Sequence, residues 1–98
     1  MEKLFVYGTL KDPVIRRKAV GRAFSGAPDS LKGWRKTEFF VDGEDYPVIV
    51  PDEDGIVDGL IFEVTPAELK TLDDYEEEYK RIEVVLKSGA RAWAYVRK

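Results

Sequence analysis

Apolar and polar residues alternate along this chain with two different periods, and the changes of period mark its elements. Lys3-Leu4-Phe5-Val6-Tyr7 is a compact aromatic and branched run, a strand candidate that stops at Gly8-Thr9. Asp12-Pro13 reads as a helix start, with Asp12 as N-cap and Pro13 at the first helical position. The short helix this predicts runs to about Val20 and carries Arg16, Arg17 and Lys18 outside. Gly21 to Gly33 is mixed, and Ser25 to Ser30 reads as irregular chain or edge structure. Trp34 to Val41 and Tyr46 to Val50 are strand candidates separated by Asp42-Gly43-Glu44-Asp45. Pro51-Asp52-Glu53-Asp54-Gly55 has turn chemistry, after which Ile56 to Val64 is the longest strand, with Leu60, Phe62 and Val64 on one face.

The period then changes to that of a helix. Thr65 can cap, Pro66 suits the first helical position and Glu68 completes a capping box, so a helix is expected to about Tyr75 or Glu77. Ile82 to Leu86 and Ala90 to Val96 are two more strands joined at Ser88-Gly89, a tight-hairpin pair. Six or seven short strands and two short helices predict an α+β fold. Its centre is a small, mostly antiparallel β-barrel with a helix over one opening. With 98 residues the chain is expected to form one domain over residues 1–98.

Composition removes whole classes of chemistry. There is no cysteine, histidine, asparagine or glutamine, so Ser-His-Asp and Cys-His catalysis, zinc fingers, thiol redox and His-ligated metal sites are all excluded. A net charge of −3 argues against a general nucleic-acid binder. No apolar run approaches the roughly 20 residues that span a bilayer, and the opening residues do not resemble a signal peptide. A cytoplasmic protein is expected. Abundant Lys, Arg and Glu without Asn, Gln or Cys matches the bias of heat-adapted proteins.

Glu76 is the first candidate for chemistry. With Leu69 on the buried stripe of the helix, the same face takes Leu72 at i+3 and Glu76 at i+7. Burial would raise its pKa; the helix C-terminus and the nearby Asp73, Asp74, Glu77 and Glu78 are expected to push the same way. A carboxyl so shifted is how a protein without histidine obtains a general acid/base near neutral pH. A helix that frays by residue 75 would instead leave Glu76 on a solvated acidic face.

The second place is Tyr7-Gly8-Thr9-Leu10. A strand ending in glycine just before a helix start can turn its amides into an anion-binding nest, although an ordinary strand-to-helix turn has the same pattern. Tyrosines 7, 46, 79 and 95 are either core with a polar handle or the wall of a polar pocket. In extended chain Tyr79 and Arg81 point one way, as do Trp93 and Tyr95. Asp52 to Asp54 lacks EF-hand spacing and fits a solvated turn.

Together these stretches resemble the γ-glutamylcyclotransferase-like (AIG2-like) family. The matching residues are Leu4-Phe5-Val6-Tyr7-Gly8-Thr9-Leu10, Tyr46-Pro47, Val57 to Val64, Leu72-Asp73-Asp74-Tyr75-Glu76, Tyr79-Lys80-Arg81 and Ala92-Trp93-Ala94-Tyr95-Val96. The resemblance implies a small β-barrel with a cavity at one end and Glu76 as general acid/base. It also implies that Tyr7, Gly8, Thr9 and Leu10 line the pocket and offer amides to a substrate carboxylate. Tyr46, Tyr79 and Tyr95 join the expected substrate-binding set; Tyr79 and Tyr95 would shape the pocket or orient Glu76.

The implied reaction turns a small-molecule γ-glutamyl amine or peptide into 5-oxoproline and a free amine, a transferase or lyase chemistry without metal or cofactor. No nucleic acid or membrane partner is expected, and the chain is expected to be a monomer or weak homodimer. The main rival is a non-catalytic module that keeps the cavity and only binds a small molecule. A third reading is an interaction protein that pairs through an exposed edge strand.

Overall fold

The computed structural model describes residues 1–8 and 26–98. Its elements are β1 (Glu2–Val6), β2 (Ala27–Val41), β3 (Glu44–Val64), α1 (Pro66–Tyr75), β4 (Tyr79–Val85) and β5 (Arg91–Arg97). The helix expected from Asp12 to Val20 lies outside the described residues. The strands form one sheet in the order β2-β3-β1-β5-β4, antiparallel except where β1 runs alongside β5.

The aromatic run at the start becomes the inner strand because both of its faces are covered. Leu4 and Val6 enter one apolar cluster with Phe62, Val64 and Tyr95; Phe5 and Tyr7 enter another with Leu31, Ile49, Ala94 and Val96. A strand buried on both faces reads as continuous hydrophobic sequence rather than as an alternation. Helix α1 closes the first cluster with Leu69 and Leu72. Its start is the expected capping box: the Thr65 hydroxyl accepts from the Glu68 N–H at 3.1 Å, and the Glu68 carboxylate from the Thr65 N–H at 2.8 Å.

The barrel-like sheet is as expected, but the described residues make five strands rather than six or seven. Trp34–Val41 and Tyr46–Val50 do form a hairpin, turning at Asp42-Gly43 with φ of 50° and 83°, the two left-handed residues of a tight type I′ turn. The stretch Pro51–Gly55, however, does not reverse the chain. Trp34 pairs with Pro51 and Lys32 with Ile56, so Gly33 alone faces the inserted residues 52–55. The turn chemistry is present locally, where the Asp52 carboxylate accepts the Asp54 N–H at 3.0 Å, but it makes an outward excursion in one long strand. Ala27–Ser30, expected as irregular chain or edge structure, belongs to the edge strand β2, paired with Asp58–Ile61.

The β4–β5 hairpin closes through a three-residue loop, with the Leu86 N–H donating to the Ala90 carbonyl and the Gly89 N–H to the Leu86 carbonyl. Its tip reaches back to β2: the Lys87 N–H donates to the Ser30 carbonyl at 2.8 Å and the Ser88 hydroxyl to Asp29 at 2.6 Å. The sheet is thereby curled into a half-barrel. Among the described residues no helix is long and apolar enough to cross a membrane.

Candidate active site

The site lies where β3 has no described strand on one side. β1 pairs only with Leu60–Val64 of β3, so residues 44–51 of β3 have β2 on one side and no described strand on the other. Backbone groups on that side need other partners. Tyrosine hydroxyls supply them. The Tyr79 hydroxyl donates to the Pro47 carbonyl, and the Tyr7 hydroxyl receives the Ile49 N–H while donating to the Tyr95 carbonyl. Proline suits position 47, since its missing N–H leaves one donor fewer to satisfy there.

Between these groups lies a cavity lined by Phe5, Val6, Tyr7, Gly8, Pro47, Glu76, Tyr79 and Tyr95. Its interior measures about 30 Å³, and with its open mouth the empty space reaches about 320 Å³. The inner volume corresponds to about one or two water molecules. Gly8 sits so close to Pro47 that a Cβ at position 8 would lie 2.9 Å from the proline Cγ. The missing side chain is what lets the end of β1 and the Pro47 ring share this wall.

Glu76 is the C-cap of α1. Its N–H donates to the Leu72 carbonyl at 2.9 Å and its own carbonyl accepts from the Tyr79 N–H at 3.0 Å, so the helix end and the start of β4 both fix its backbone. The helix does not fray before this residue, and the half-buried carboxyl lines the cavity. Among the described residues it has no hydrogen-bond or ion-pair partner. Burial raises its pKa from 4.5 to about 7. The acidic neighbours expected to add to this are not among its causes: Asp74, Glu77 and Glu78 are exposed, and Asp73 is engaged elsewhere.

The structure brings Glu76, Tyr7, Gly8, Tyr79 and Tyr95 together, and it leaves Tyr46 outside. The Tyr46 ring stacks on Phe39 at 5.6 Å and its hydroxyl donates to Glu44, and it is not among the residues that line the cavity. Thr9 and Leu10 lie outside the described residues. Tyr79 and Tyr95 wall the cavity, edge to face at 6.5 Å, but neither hydroxyl orients Glu76. The Tyr95 hydroxyl donates to Asp73 at 2.8 Å, as the Tyr79 hydroxyl does to Pro47. Burial pushes Tyr79 up to about 12, helped by the charge of Glu76, and raises Tyr7 and Tyr95 as well. At neutral pH all three are hydrogen-bonding hydroxyls rather than bases.

Two participants escaped the sequence reading. Asp73 accepts from Arg81 Nε at 2.6 Å as well as from Tyr95, and Arg81 lies over the Trp93 ring at 4.6 Å. Its signal was present: Leu69, Leu72, Asp73 and Glu76 follow the i, i+3, i+4, i+7 spacing of one helix face. Pro47 had no such signal, because its role depends on which side of β3 has no described strand beside it. Among the described residues no cluster of three or more acidic side chains could hold a metal ion, and Asp52 pairs with Arg35 at 3.7 Å.

With this geometry in place, the chain can be set beside known proteins. A family model described as gamma-glutamyl cyclotransferase, AIG2-like, matches residues 4–98. AIG2-like protein C of Arabidopsis thaliana is 38% identical over 87 residues, covering 85% of this chain and 49% of its own length. AIG2-like protein A of the same plant is 36% identical, with 86% and 51% covered. The chain thus spans about half the length of the curated relatives it matches. A solution structure of an A. thaliana protein superposes with a TM-score of 0.81 at 31% identity, covering 98% of this chain and 68% of that one. A structure named gamma-glutamyl cyclotransferase reaches a TM-score of 0.83 at 16% identity, with 99% and 66% covered, and shares the fold.

Proposed function

The chain belongs to the gamma-glutamyl cyclotransferase, AIG2-like family, and on that premise we propose that it converts a γ-glutamyl amine or peptide into 5-oxoproline and a free amine. One observation carries this reading: a carboxyl with no described partner, shifted to about 7, lines a cavity bounded by the end of β1.

The chemistry needs little beyond folding the substrate and moving protons. The substrate's α-nitrogen attacks its own γ-carbonyl carbon; the new C–N bond closes a five-membered ring as the bond to the leaving nitrogen breaks. Glu76 as carboxylate takes a proton from the α-ammonium and returns it to the departing nitrogen, and the second proton follows the same route. A pKa near 7 suits a group that must both accept and release a proton at neutral pH. A narrow slot favours the bent substrate and supplies the proximity term. None of the eight lining residues among the described ones is cationic, and in this reading the backbone amides of residues 8–10 anchor the α-carboxylate. A cytoplasmic location accords with it.

The test is a panel of γ-glutamyl amines and dipeptides assayed for 5-oxoproline release, wild type beside Glu76→Gln. The expected result is turnover by the wild type, and loss of turnover with ligand binding retained in the variant. Binding without turnover by the wild type across the panel would make the protein a small-molecule binding module instead.

A further inference from the structure

The outer side of β2 is the longest unpaired edge among the described residues. Beyond Ser30, whose carbonyl accepts from Lys87, no described strand or loop donates to it. The direction of its backbone groups follows from the cavity on the other side of the hairpin. In an antiparallel ladder, opposed residues alternate between pairs that exchange both hydrogen bonds and pairs whose N–H and C=O point away from each other. The Pro47 carbonyl and the Ile49 N–H are taken by tyrosine hydroxyls on the side away from β2. Glu38, opposite Pro47, and Lys36, opposite Ile49, are therefore in pairs of the second kind. Their own N–H and C=O groups point off the outer edge of β2, as do those of Phe40.

The side chains of Trp34, Lys36, Glu38 and Phe40 share one face of the sheet. Lys36 and Glu38 are exposed and have no ion-pair partner among the described residues, and Phe40 is 69% exposed. We propose that this edge joins two copies of the chain, by antiparallel pairing of β2 with β2 about a twofold axis through Thr37. In that register Lys36 lies opposite Glu38 of the partner subunit, and Glu38 opposite Lys36 of the partner subunit. Trp34 then faces Phe40 of the partner subunit. The outward N–H and C=O groups of residues 36 and 38 fall into pairs that exchange both bonds.

Charge selects the register. An axis through residue 36 would set lysine against lysine, and one through residue 38 glutamate against glutamate. An edge lysine normally discourages strand addition; here it is matched only by a second copy in this alignment.

The experiment is sedimentation velocity on the full chain over a concentration series reaching ~1 mM, the weak end of the affinity scale. It compares wild type, Lys36→Glu, Glu38→Lys and the double exchange. The wild type should show reversible dimerisation. Because symmetry places each substitution in the interface twice, each single variant should weaken association roughly tenfold or more, and the double exchange should restore it to within about threefold. Both substituted positions are exposed, and circular dichroism checks that every variant folds. A wild type that stays monomeric throughout overturns the proposal and leaves the edge to a different protein. A dimer unmoved by the single exchanges, or one not restored by the double exchange, overturns it too and moves the contact to another surface.

Discussion

Asp73 and Glu76 lie on the same face of α1, three residues apart, and the structure treats them in opposite ways. Asp73 accepts from Arg81 and from the Tyr95 hydroxyl, tying the helix to β4 and β5 at once. Glu76, one turn further on, faces the cavity with no described partner, and burial alone lifts its pKa to about 7. Their side chains carry the same functional group. What separates them is whether the facing strand offers a donor: Arg81 and Tyr95 stand opposite each other in the β4–β5 ladder and both reach Asp73, whereas Glu76 meets the end of β1 and a proline. A carboxyl held by donors fastens the fold. One sheltered without them is left able to change its charge near neutral pH.

The largest effect expected from this contrast is on turnover. Glu76→Gln should lower kcat by about 10²–10⁴, the usual range for a proton-transfer group. Asp73→Asn should cost at most about tenfold in kcat, acting only through the placement of Tyr95. Equal losses would end the distinction between the two acids. Stability should show the reverse order. Asp73→Ala strands the half-buried Arg81 guanidinium and the Tyr95 hydroxyl, and should cost about 2–3 kcal/mol in urea unfolding. Glu76→Ala removes no described hydrogen bond and should cost well under half of that.

This contrast was half legible in the sequence. The i, i+3, i+7 spacing placed Glu76 on the buried stripe, because helix periodicity is local and needs only the register that the Thr65–Glu68 capping box supplies. The β4–β5 hairpin was legible for the same reason, and so were the two strand segments on either side of residues 42–45. The cause of the Glu76 shift was not: four neighbouring acids suggested mutual repulsion, but three of them are exposed and the fourth is held by residues eight and twenty-two positions away. Partners at that distance leave no mark on local periodicity. The joining of two expected strands into β3 was hidden similarly, since residues 51–55 have turn chemistry and only pairing with β2 shows that the chain continues. Tyr46 was placed at the site by resemblance and by its neighbour Pro47, yet strand alternation sends its ring to Phe39.

A medium-sized effect sharpens the electrostatic half of the contrast. The folded-state pKa of Glu76 lies above its ordinary value of 4.5, so its favourable contribution is fully present below pH 4.5, where the acid is neutral in both states. As pH rises toward about 7, the unfolded chain ionises there and the folded chain does not, and stability falls; above about 7 the penalty is complete. Discounted for partial exposure, it amounts to roughly 1–2 kcal/mol. Glu76→Gln cannot ionise. It should match the wild type in Tm near pH 4 and exceed it increasingly up to about pH 7, with a constant gap beyond, as a pH series of melting curves would show.

The smallest effect separates the two tyrosines. Tyr95→Phe takes one of two donors from the Asp73 carboxylate, a charge-assisted bond, and should cost about 1 kcal/mol. Tyr79→Phe removes the donor to the Pro47 carbonyl, but that carbonyl adjoins a cavity with room for about one or two waters. A water can take the place of the lost hydroxyl, so this change should cost only about 0.5 kcal/mol. Urea unfolding of the two variants side by side decides it. If Tyr79→Phe proves the costlier, the space beside Pro47 is closed to water. The shelter around Glu76 is then deeper than its half-buried side chain indicates, and its kinetic pKa should lie correspondingly above 7.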